Sequence, residues 1–161
     1  DLGCGTGQGT CEAVASLESL LPPDTLVEAI GLTAEPLEAW MAAARRLPHD
    51  PSRERQWTLL VCRNIPAFVA GDALGDWPEG SYYIILANGL VGGDFLHGDD
   101  VYTWFLNNLR RHLAPGGRAF LANAYHDGYR GQVEAFVALA RHHGWQVRGD
   151  WHGLELRRNT D

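Results

Sequence analysis

A glycine-rich heptapeptide, DLGCGTG, opens the sequence at residues 1–7. Its first three residues have the character of a strand end, and a helical spacing of apolar residues begins shortly after its last glycine. Glycines at a strand-to-helix junction let the backbone turn tightly and approach a ligand, beside the positive end of the helix dipole. The opening therefore predicts a small-molecule site at the end of a strand whose earlier part precedes residue 1.

The spacing of these glycines argues against two common nucleotide-binding loops. A dinucleotide loop has the pattern G-x-G-x-x-G. Counted from Gly3 the sixth position is Gln8, and counted from Gly5 it is Thr10, so neither register fits. The phosphate-binding pattern G-x-x-x-x-G-K-[ST] is also absent. A nicotinamide oxidoreductase is therefore disfavoured.

Polar side chains also follow later strands, at the ends where ligands bind in open α/β sheets. Asn88-Gly89 follows one strand, with Asp94, His97, Asp99 and Asp100 beyond it, and residues 123–127 follow the next. No catalytic residue is assigned, but the substrate-side candidates are Asn88, His97, Tyr125 and His126. His126 is a candidate general base if the reacting group of the substrate is a hydroxyl or a protonated amine. No metal is expected, because nothing in the sequence fixes the mutual geometry of the histidines and aspartates.

Composition and charge restrict the partners. The chain has 161 residues and a net charge of −7, its basic residues occur in small groups, and no apolar run approaches the about 18 residues of a membrane span. A nucleic-acid partner and a membrane location are disfavoured, and a small-molecule or protein partner is favoured. Three scattered cysteines and the lack of a leader predict reduced thiols and a cytoplasmic location. We expect residues 1–161 to form a single domain that is part of a longer chain.

Apolar periodicity predicts helices alternating with strands, which is typical of a parallel sheet covered by helices on both faces. Residues 49–55 are polar and contain a possible helix start at Asp50-Pro51, and residues 57–65 behind them fit either a helix or a strand. The other predicted helices cover 10–21, 37–47, 101–113 and 133–140, with the third ended by Pro115-Gly116-Gly117; the predicted strands cover 26–32, 67–70, 81–87, 118–123, 146–151 and 154–158.

The heptapeptide closely resembles the first motif of class I S-adenosylmethionine-dependent methyltransferases. Gly71-Asp72-Ala73 is similar to the family's acidic turn after the third strand, residues 79–85 to the start of its fourth strand, and 113–117 to the L-x-P-G-G turn before its fifth. The resemblance implies a three-layer Rossmann-like α/β sandwich. Its sheet would be mainly parallel and seven-stranded, with an N-terminally truncated first strand and a C-terminal antiparallel hairpin.

The resemblance further implies S-adenosylmethionine as the cofactor and methyl transfer to a small-molecule or protein acceptor. In the family the glycines pass under the methionine part, the leading carboxylate helps hold its ammonium group, and the later acid binds the adenine amine. Carried over, the expected cofactor contacts are Asp1, Gly3, Cys4, Gly5, Gly7, Thr33, Ala34, Asp72, Ala73 and Asn88.

Two positions depart from the family pattern. Thr33 stands where an acid usually binds both ribose hydroxyls, and a neutral hydroxyl cannot make that charged pair of hydrogen bonds. Glu35 lies two residues on and is the alternative ribose ligand. Tyr83 replaces an aspartate common at the start of the fourth strand. These departures leave a second hypothesis open, a non-catalytic binding or scaffolding module with the same fold.

Overall fold

The computed structural model describes residues 1–5, 7–34, 66–92, 96–122 and 127–159. Their elements, in chain order, are α1 (Gln8–Leu20), β1 (Ile30–Thr33), β2 (Ala67–Ala70), β3 (Tyr82–Asn88), α2 (Asp99–His112), β4 (Leu113–Ala122), a 3-10 turn (Asp127–Tyr129), α3 (Arg130–His142), β5 (Trp145–Asp150) and β6 (Gly153–Arg158). The predicted elements at 37–47 and 49–65 lie outside the described residues.

The chain divides into two compact units, each described here by itself. The first contains Asp1 and Gly3–Trp77, and the second contains Leu2 and Pro78–Asp161. The expectation of a single domain over residues 1–161 stays a prediction.

In the first unit, α1 follows the glycine loop and β1 pairs in parallel with β2. The ladder runs from Ile30 opposite Ala67 to Thr33 opposite Ala70. The predicted strand 26–32 was too long at its start, because β2 offers four pairing residues and Leu26 is 74% exposed. The apolar stripe predicted along α1 is also incomplete, since Val14 is buried whereas Leu20, at the last turn, is 80% exposed.

In the second unit, four strands form a mixed sheet in the order β3-β4-β6-β5. The pair β3–β4 is parallel, and β6 runs antiparallel to both β4 and β5. The predicted C-terminal antiparallel hairpin is confirmed. Leu2 forms an isolated parallel bridge with Ala87, and its backbone N–H donates to Leu86 O at 2.7 Å.

The core of the second unit lies between this sheet and the helices α2 and α3. Phe105 and Phe136 are fully buried and meet edge to face at 6.3 Å between ring centroids. Burying each such side chain contributes about 1.5–3 kcal/mol. The sheet supplies alternate residues of β4 and β6, among them Ala119, Leu121 and Leu156, which are buried while their neighbours are not. One face of these strands is therefore the core face.

One expectation about the sheet is not confirmed, and one about the end of a helix is wrong. The six described strands make two parallel and two antiparallel pairs, so a mainly parallel seven-stranded sheet is not confirmed; the fold is α/β with a mixed sheet. Pro115-Gly116-Gly117 does not end the helix, because α2 ends at His112 and β4 begins at once. The triplet instead makes a bulge, since the ladder steps from Tyr82–Leu113 to Ile84–Arg118 and Gly116 has φ +76°.

Candidate functional site

Three glycines of the opening loop adopt a backbone conformation that other residues rarely take. Gly3, Gly5 and Gly7 have φ values of +67°, +52° and +79°. A residue with a Cβ would be strained at each of these positions, so the loop both requires glycine and presents bare backbone. Gly7 is also the N-cap of α1, and no side chain caps the helix there. Because Gly7 has no side chain, the N-cap position itself supplies no acceptor to the first N–H groups of α1.

Backbone hydrogen bonds fix this loop against the carboxyl end of β1. Leu32 N–H donates to Asp1 O at 2.8 Å, and Cys4 N–H donates to Leu32 O at 2.9 Å. Within the loop, Gly7 N–H donates to Cys4 O at 2.9 Å. The loop is therefore fixed by its hydrogen bonds to β1 and by the hydrogen bond between Gly7 and Cys4 that closes its own turn.

The carboxylate of Asp1 lies in the same loop and is oriented by α1. Thr10 Oγ1 donates to Asp1 Oδ2 at 2.7 Å, and Thr10 is buried. Asp1 Oδ1 accepts no hydrogen bond from the described residues. From the sequence, Thr10 was expected only to start a helix. Its hydroxyl group, close to the start of α1, was the one sign of a further role.

The carboxyl ends of β1 and β2 meet at one edge of the first unit. Thr33 O accepts from Gly71 N–H at 2.7 Å, so Gly71-Asp72 follows β2 directly beside the last residue of β1. Thr33 is buried, at 3% exposure, and Ala34 is exposed. The predicted cofactor residues of these two loops are thus brought to the same edge as the glycine loop.

Asp72 shapes the turn in which it lies. Its Oδ1 accepts from Leu74 N–H at 2.8 Å, and its backbone carbonyl accepts from Gly75 N–H at 2.9 Å. The residue is exposed, and Oδ2 accepts no hydrogen bond within the described part of the chain. Ala73 behind it is buried, and its carbonyl accepts from Trp77 Nε1 at 2.7 Å. The turn therefore presents one unused carboxylate oxygen on an anchored backbone.

In the second unit, Asn88 ends β3 beside Ala122, the last residue of β4. It lines a groove of about 300 Å³ whose other lining residues are Phe120, Leu121, Ala122, Arg148, Gly149, Gly153, Leu154 and Glu155. Apart from Asn88, sequence reasoning missed this groove. The sequence pattern that could have indicated the groove is the alternation of charged and apolar residues along the last two strands.

One carboxylate in this groove, that of Glu155, lies in a positive electrostatic field. Arg157 Nε donates to Glu155 Oε1 at 2.6 Å, and Arg118 Nη1 lies 3.4 Å from the same oxygen. The hydrogen bond from Arg157, with the charges of Arg157, Arg118 and Arg148, lowers the pKa of Glu155 despite partial desolvation. Glu155 is thus held as an anion among guanidinium groups.

Of the remaining candidates, only His97, Asp99 and Asp100 are among the described residues. His97 is exposed ahead of α2. Asp99 and Asp100, expected in a loop, form the first turn of α2, where acids favour the helix dipole. Glu35, Tyr125 and His126 lie outside the described residues. Among the residues that are described, no group of three or more His, Cys, Asp or Glu side chains is placed to hold a metal ion, and no helix is long and apolar enough to cross a membrane.

The sequence matches no protein-family model and no curated protein. Solved structures do match. A TehB-like SAM-dependent methyltransferase from Corynebacterium glutamicum superposes with a TM-score of 0.62 and 18% identity, over 97% of this chain and 76% of that one. A ribosomal-protein methylase from Lactobacillus delbrueckii gives 0.62 and 16%, over 99% and 69%. A Listeria monocytogenes protein assigned to the class I S-adenosylmethionine-dependent methyltransferases gives 0.63 and 14%, over 99% and 53%.

Proposed function

We propose that this chain, which has the fold of the class I S-adenosylmethionine-dependent methyltransferases, binds S-adenosylmethionine and transfers its methyl group to a small-molecule or protein acceptor. The observation that carries the proposal is the glycine loop. Its three left-handed glycines are held against the end of β1, with a carboxylate in the same loop. At the identities found, the likeness to solved structures supports the fold alone, so the cofactor and the reaction rest on this loop.

The described residues fit the chemistry of this cofactor. The methionine part carries an ammonium group, for which Asp1 offers Oδ1, and a carboxylate, for which the N-terminus of α1 offers backbone N–H groups. The adenine amine needs an acceptor, and Asp72 Oδ2 is available. Within the first unit, Gly3, Cys4, Gly5 and Gly7 would supply the backbone surface, Thr33 and Ala34 the ribose side, and Ala73 a further contact. Asn88, in the second unit, stays a candidate from the sequence.

When bound, S-adenosylmethionine supplies a methyl group on a sulfonium, which passes to an acceptor lone pair as the carbon–sulfur bond breaks and S-adenosylhomocysteine leaves. Such an in-line displacement depends chiefly on alignment, so the chain need not supply a base. His97, Tyr125 and His126 stay candidates for the acceptor side, where a base would take the proton of a hydroxyl or an ammonium group.

Calorimetric titration with S-adenosylmethionine, S-adenosylhomocysteine and NAD tests the proposal. We expect the first two to bind and NAD not to bind. The matched variants are Gly5→Asn and Gly116→Asn, because both glycines have left-handed φ values, which asparagine tolerates better than other residues. No atom lies within 4 Å of a Cβ built at Gly116. Gly5→Asn should lose at least about tenfold in cofactor affinity, or about 1.4 kcal/mol, and Gly116→Asn should bind like the parent. Equal binding by both variants contradicts a cofactor at the loop.

A second candidate is a module that keeps the fold without turnover. The observation that favours it is Thr33, a buried neutral residue where the family usually has a ribose-binding acid. The two candidates differ in products: an enzyme releases S-adenosylhomocysteine when an extract supplies acceptors, whereas a binding module retains S-adenosylmethionine unchanged.

A further inference from the structure

The groove of the second unit lies where parallel strands end. Asn88 and Ala122 are paired at the carboxyl ends of β3 and β4. Gly153 pairs with Ala122, and Asp150 pairs with Gly153, so the hairpin turn between β5 and β6 reaches the same edge. Carboxyl ends of strands are where ligands bind in open α/β sheets. The groove is therefore at a functional edge of the sheet.

A row of three side chains crosses the groove. Glu155 is paired with Phe120 on one side and with Arg148 on the other. Directly opposed residues of neighbouring strands lie on the same face of a sheet. This face is the one opposite the core, because Ala119 and Leu121, the neighbours of Phe120, are buried.

The row places a guanidinium group where a ligand can reach it. Arg118 and Arg157 are engaged by Glu155, whereas Arg148 is exposed and makes no hydrogen bond or ion pair with other described residues. Asp150 follows two residues after Arg148, and its Oδ1 accepts a hydrogen bond from His152 N–H at 2.9 Å. Three guanidinium groups, those of Arg118, Arg148 and Arg157, thus act on the single carboxylate of Glu155. Even with Asp150 counted, the local charge is positive in a chain of net charge −7.

The floor of the groove is apolar and flat. Phe120 is 37% exposed, although its neighbours in β4 on the other face are buried. Gly153 widens the groove, since no atom lies within 4 Å of a Cβ built there. A volume of about 300 Å³ is at the small end of ligand sites. An aromatic face in such a groove suits a single ring better than a long chain.

We propose that this groove binds the methyl acceptor and that the acceptor is a small carboxylate carrying a planar ring. The carboxylate would pair with the Arg148 guanidinium and the Asn88 amide, and the ring would lie on Phe120. A guanidinium group presents paired N–H donors that match a carboxylate, so this contact selects for charge. The identification of the ligand as the acceptor rests on the proposed methyl transfer; the groove and its charge preference do not.

The probe is para-hydroxybenzoate, compared with its neutral amide, para-hydroxybenzamide, by titration of the 161-residue chain. We expect the acid to bind at least about tenfold more tightly than the amide. Arg148→Gln should remove this preference. Arg141→Gln, which deletes an exposed arginine of α3, should keep it. Equal binding of acid and amide, or an undiminished preference in Arg148→Gln, overturns the proposal, as does failure of the acid to bind.

A second variant separates blocking of the groove from loss of charge. Gly153→Leu would place an apolar side chain in open space at a residue without left-handed φ, so the chain should fold as before. It should abolish binding of both probes, and retained binding places the ligand elsewhere. Titration with S-adenosylmethionine distinguishes the two proposals: if para-hydroxybenzoate binds as expected and S-adenosylmethionine does not, methyl transfer fails while the groove stands. The converse result overturns the groove alone.

Discussion

One of the two carboxylate oxygens of Asp72 accepts a hydrogen bond within its own turn. Oδ1 accepts from Leu74 N–H, which leaves Oδ2 for a ligand. A carboxylate in this position can accept from an exocyclic amine without losing the backbone geometry that holds it. The two oxygens can therefore be tested separately.

Asp72→Asn should weaken binding of S-adenosylmethionine by about tenfold or more, while the free energy of unfolding changes little. The amide oxygen can still accept from Leu74 N–H, but the second position becomes an NH2 group that opposes the adenine amine. Titration calorimetry and urea unfolding measure the two effects. Asp76→Asn, at a nearby exposed acid, is the control and should bind as the parent does. An unchanged affinity in Asp72→Asn would show that the adenine amine does not bind at this turn.

Thr33 stands where the ribose of the proposed cofactor would lie. Its side chain is buried at the end of β1, so an acid introduced there would have to be desolvated. Conservative replacements therefore give the cleaner comparison. Thr33→Val removes the hydroxyl and keeps the shape, and Thr33→Ser keeps the hydroxyl.

If the hydroxyl binds the ribose, Thr33→Val should lower affinity for S-adenosylmethionine by roughly threefold to tenfold, the worth of one neutral hydrogen bond. Thr33→Ser should bind like the parent. Equilibrium titration of both variants measures this, with urea unfolding as the check on stability. Equal losses in the two variants would indicate a packing effect rather than a ribose contact.

At the scale of elements, the β5–β6 hairpin depends on a close approach of its two backbones. Gly149 has φ +96°, and a Cβ built on it would lie 2.1 Å from Gly153 O. No side chain fits there without displacing the strands. Glycine is therefore required at this position by geometry.

Gly149→Ala should lower the free energy of unfolding by about 2 kcal/mol or more, because positive φ and backbone overlap both add strain. Gly131→Ala is the matched control in α3, where a Cβ would meet nothing within 4 Å. That change should be neutral or stabilising by up to about 1 kcal/mol, because alanine favours helix. Urea midpoints compare the two, and a neutral Gly149→Ala would mean that the hairpin relaxes freely.

The cluster around Glu155 predicts a pH dependence of stability. Arg157 and the other guanidinium groups lower the pKa of Glu155 in the folded chain below its ordinary value of 4.5. The contribution of Glu155 is then fully present above that value and is lost as the pH falls through the folded-state pKa.

Glu155→Gln should therefore lower the free energy of unfolding at neutral pH, and its difference from the parent should shrink as the pH falls through the lowered pKa of Glu155. Urea unfolding at several pH values measures this difference. Arg157→Gln removes the largest cause of the shift and should flatten the same part of the profile. A difference that stays constant with pH would show that the cluster contributes nothing through ionisation.

At the scale of the whole molecule, binding to the folded chain must raise its apparent stability. At a concentration one hundred times Kd, S-adenosylmethionine should stabilise the chain by about 2.7 kcal/mol, which is roughly 5–10 °C in Tm for this size. Thermal unfolding with and without the cofactor measures the shift. NAD at the same concentration should produce no shift in Tm. A shift with NAD would favour a nicotinamide oxidoreductase, the function that the glycine spacing disfavours.

The sequence by itself determined the local elements and the order of the loops that carry the proposed site. Residues 67–70, 81–87 and the last two strands were predicted closely, because β-branched and aromatic runs bounded by turn residues are local signals. The glycine loop could also be predicted, since glycine is the residue that most readily adopts a left-handed backbone. Asp72 was predicted as a cofactor contact from the resemblance of Gly71-Asp72-Ala73 to the family's acidic turn after the third strand.

The tertiary structure alone decided features that depend on partners distant in sequence. The strand at 26–32 was cut to Ile30–Thr33 because strand length follows the pairing partner, and the Pro-Gly-Gly bulge exists because β3 pairs on both sides of it. The contact of Thr10 with Asp1 and the row from Phe120 to Arg148 join residues that no local pattern links. Hydrogen-bond partners and strand register are set by packing over the whole chain, so they become visible only when it is folded.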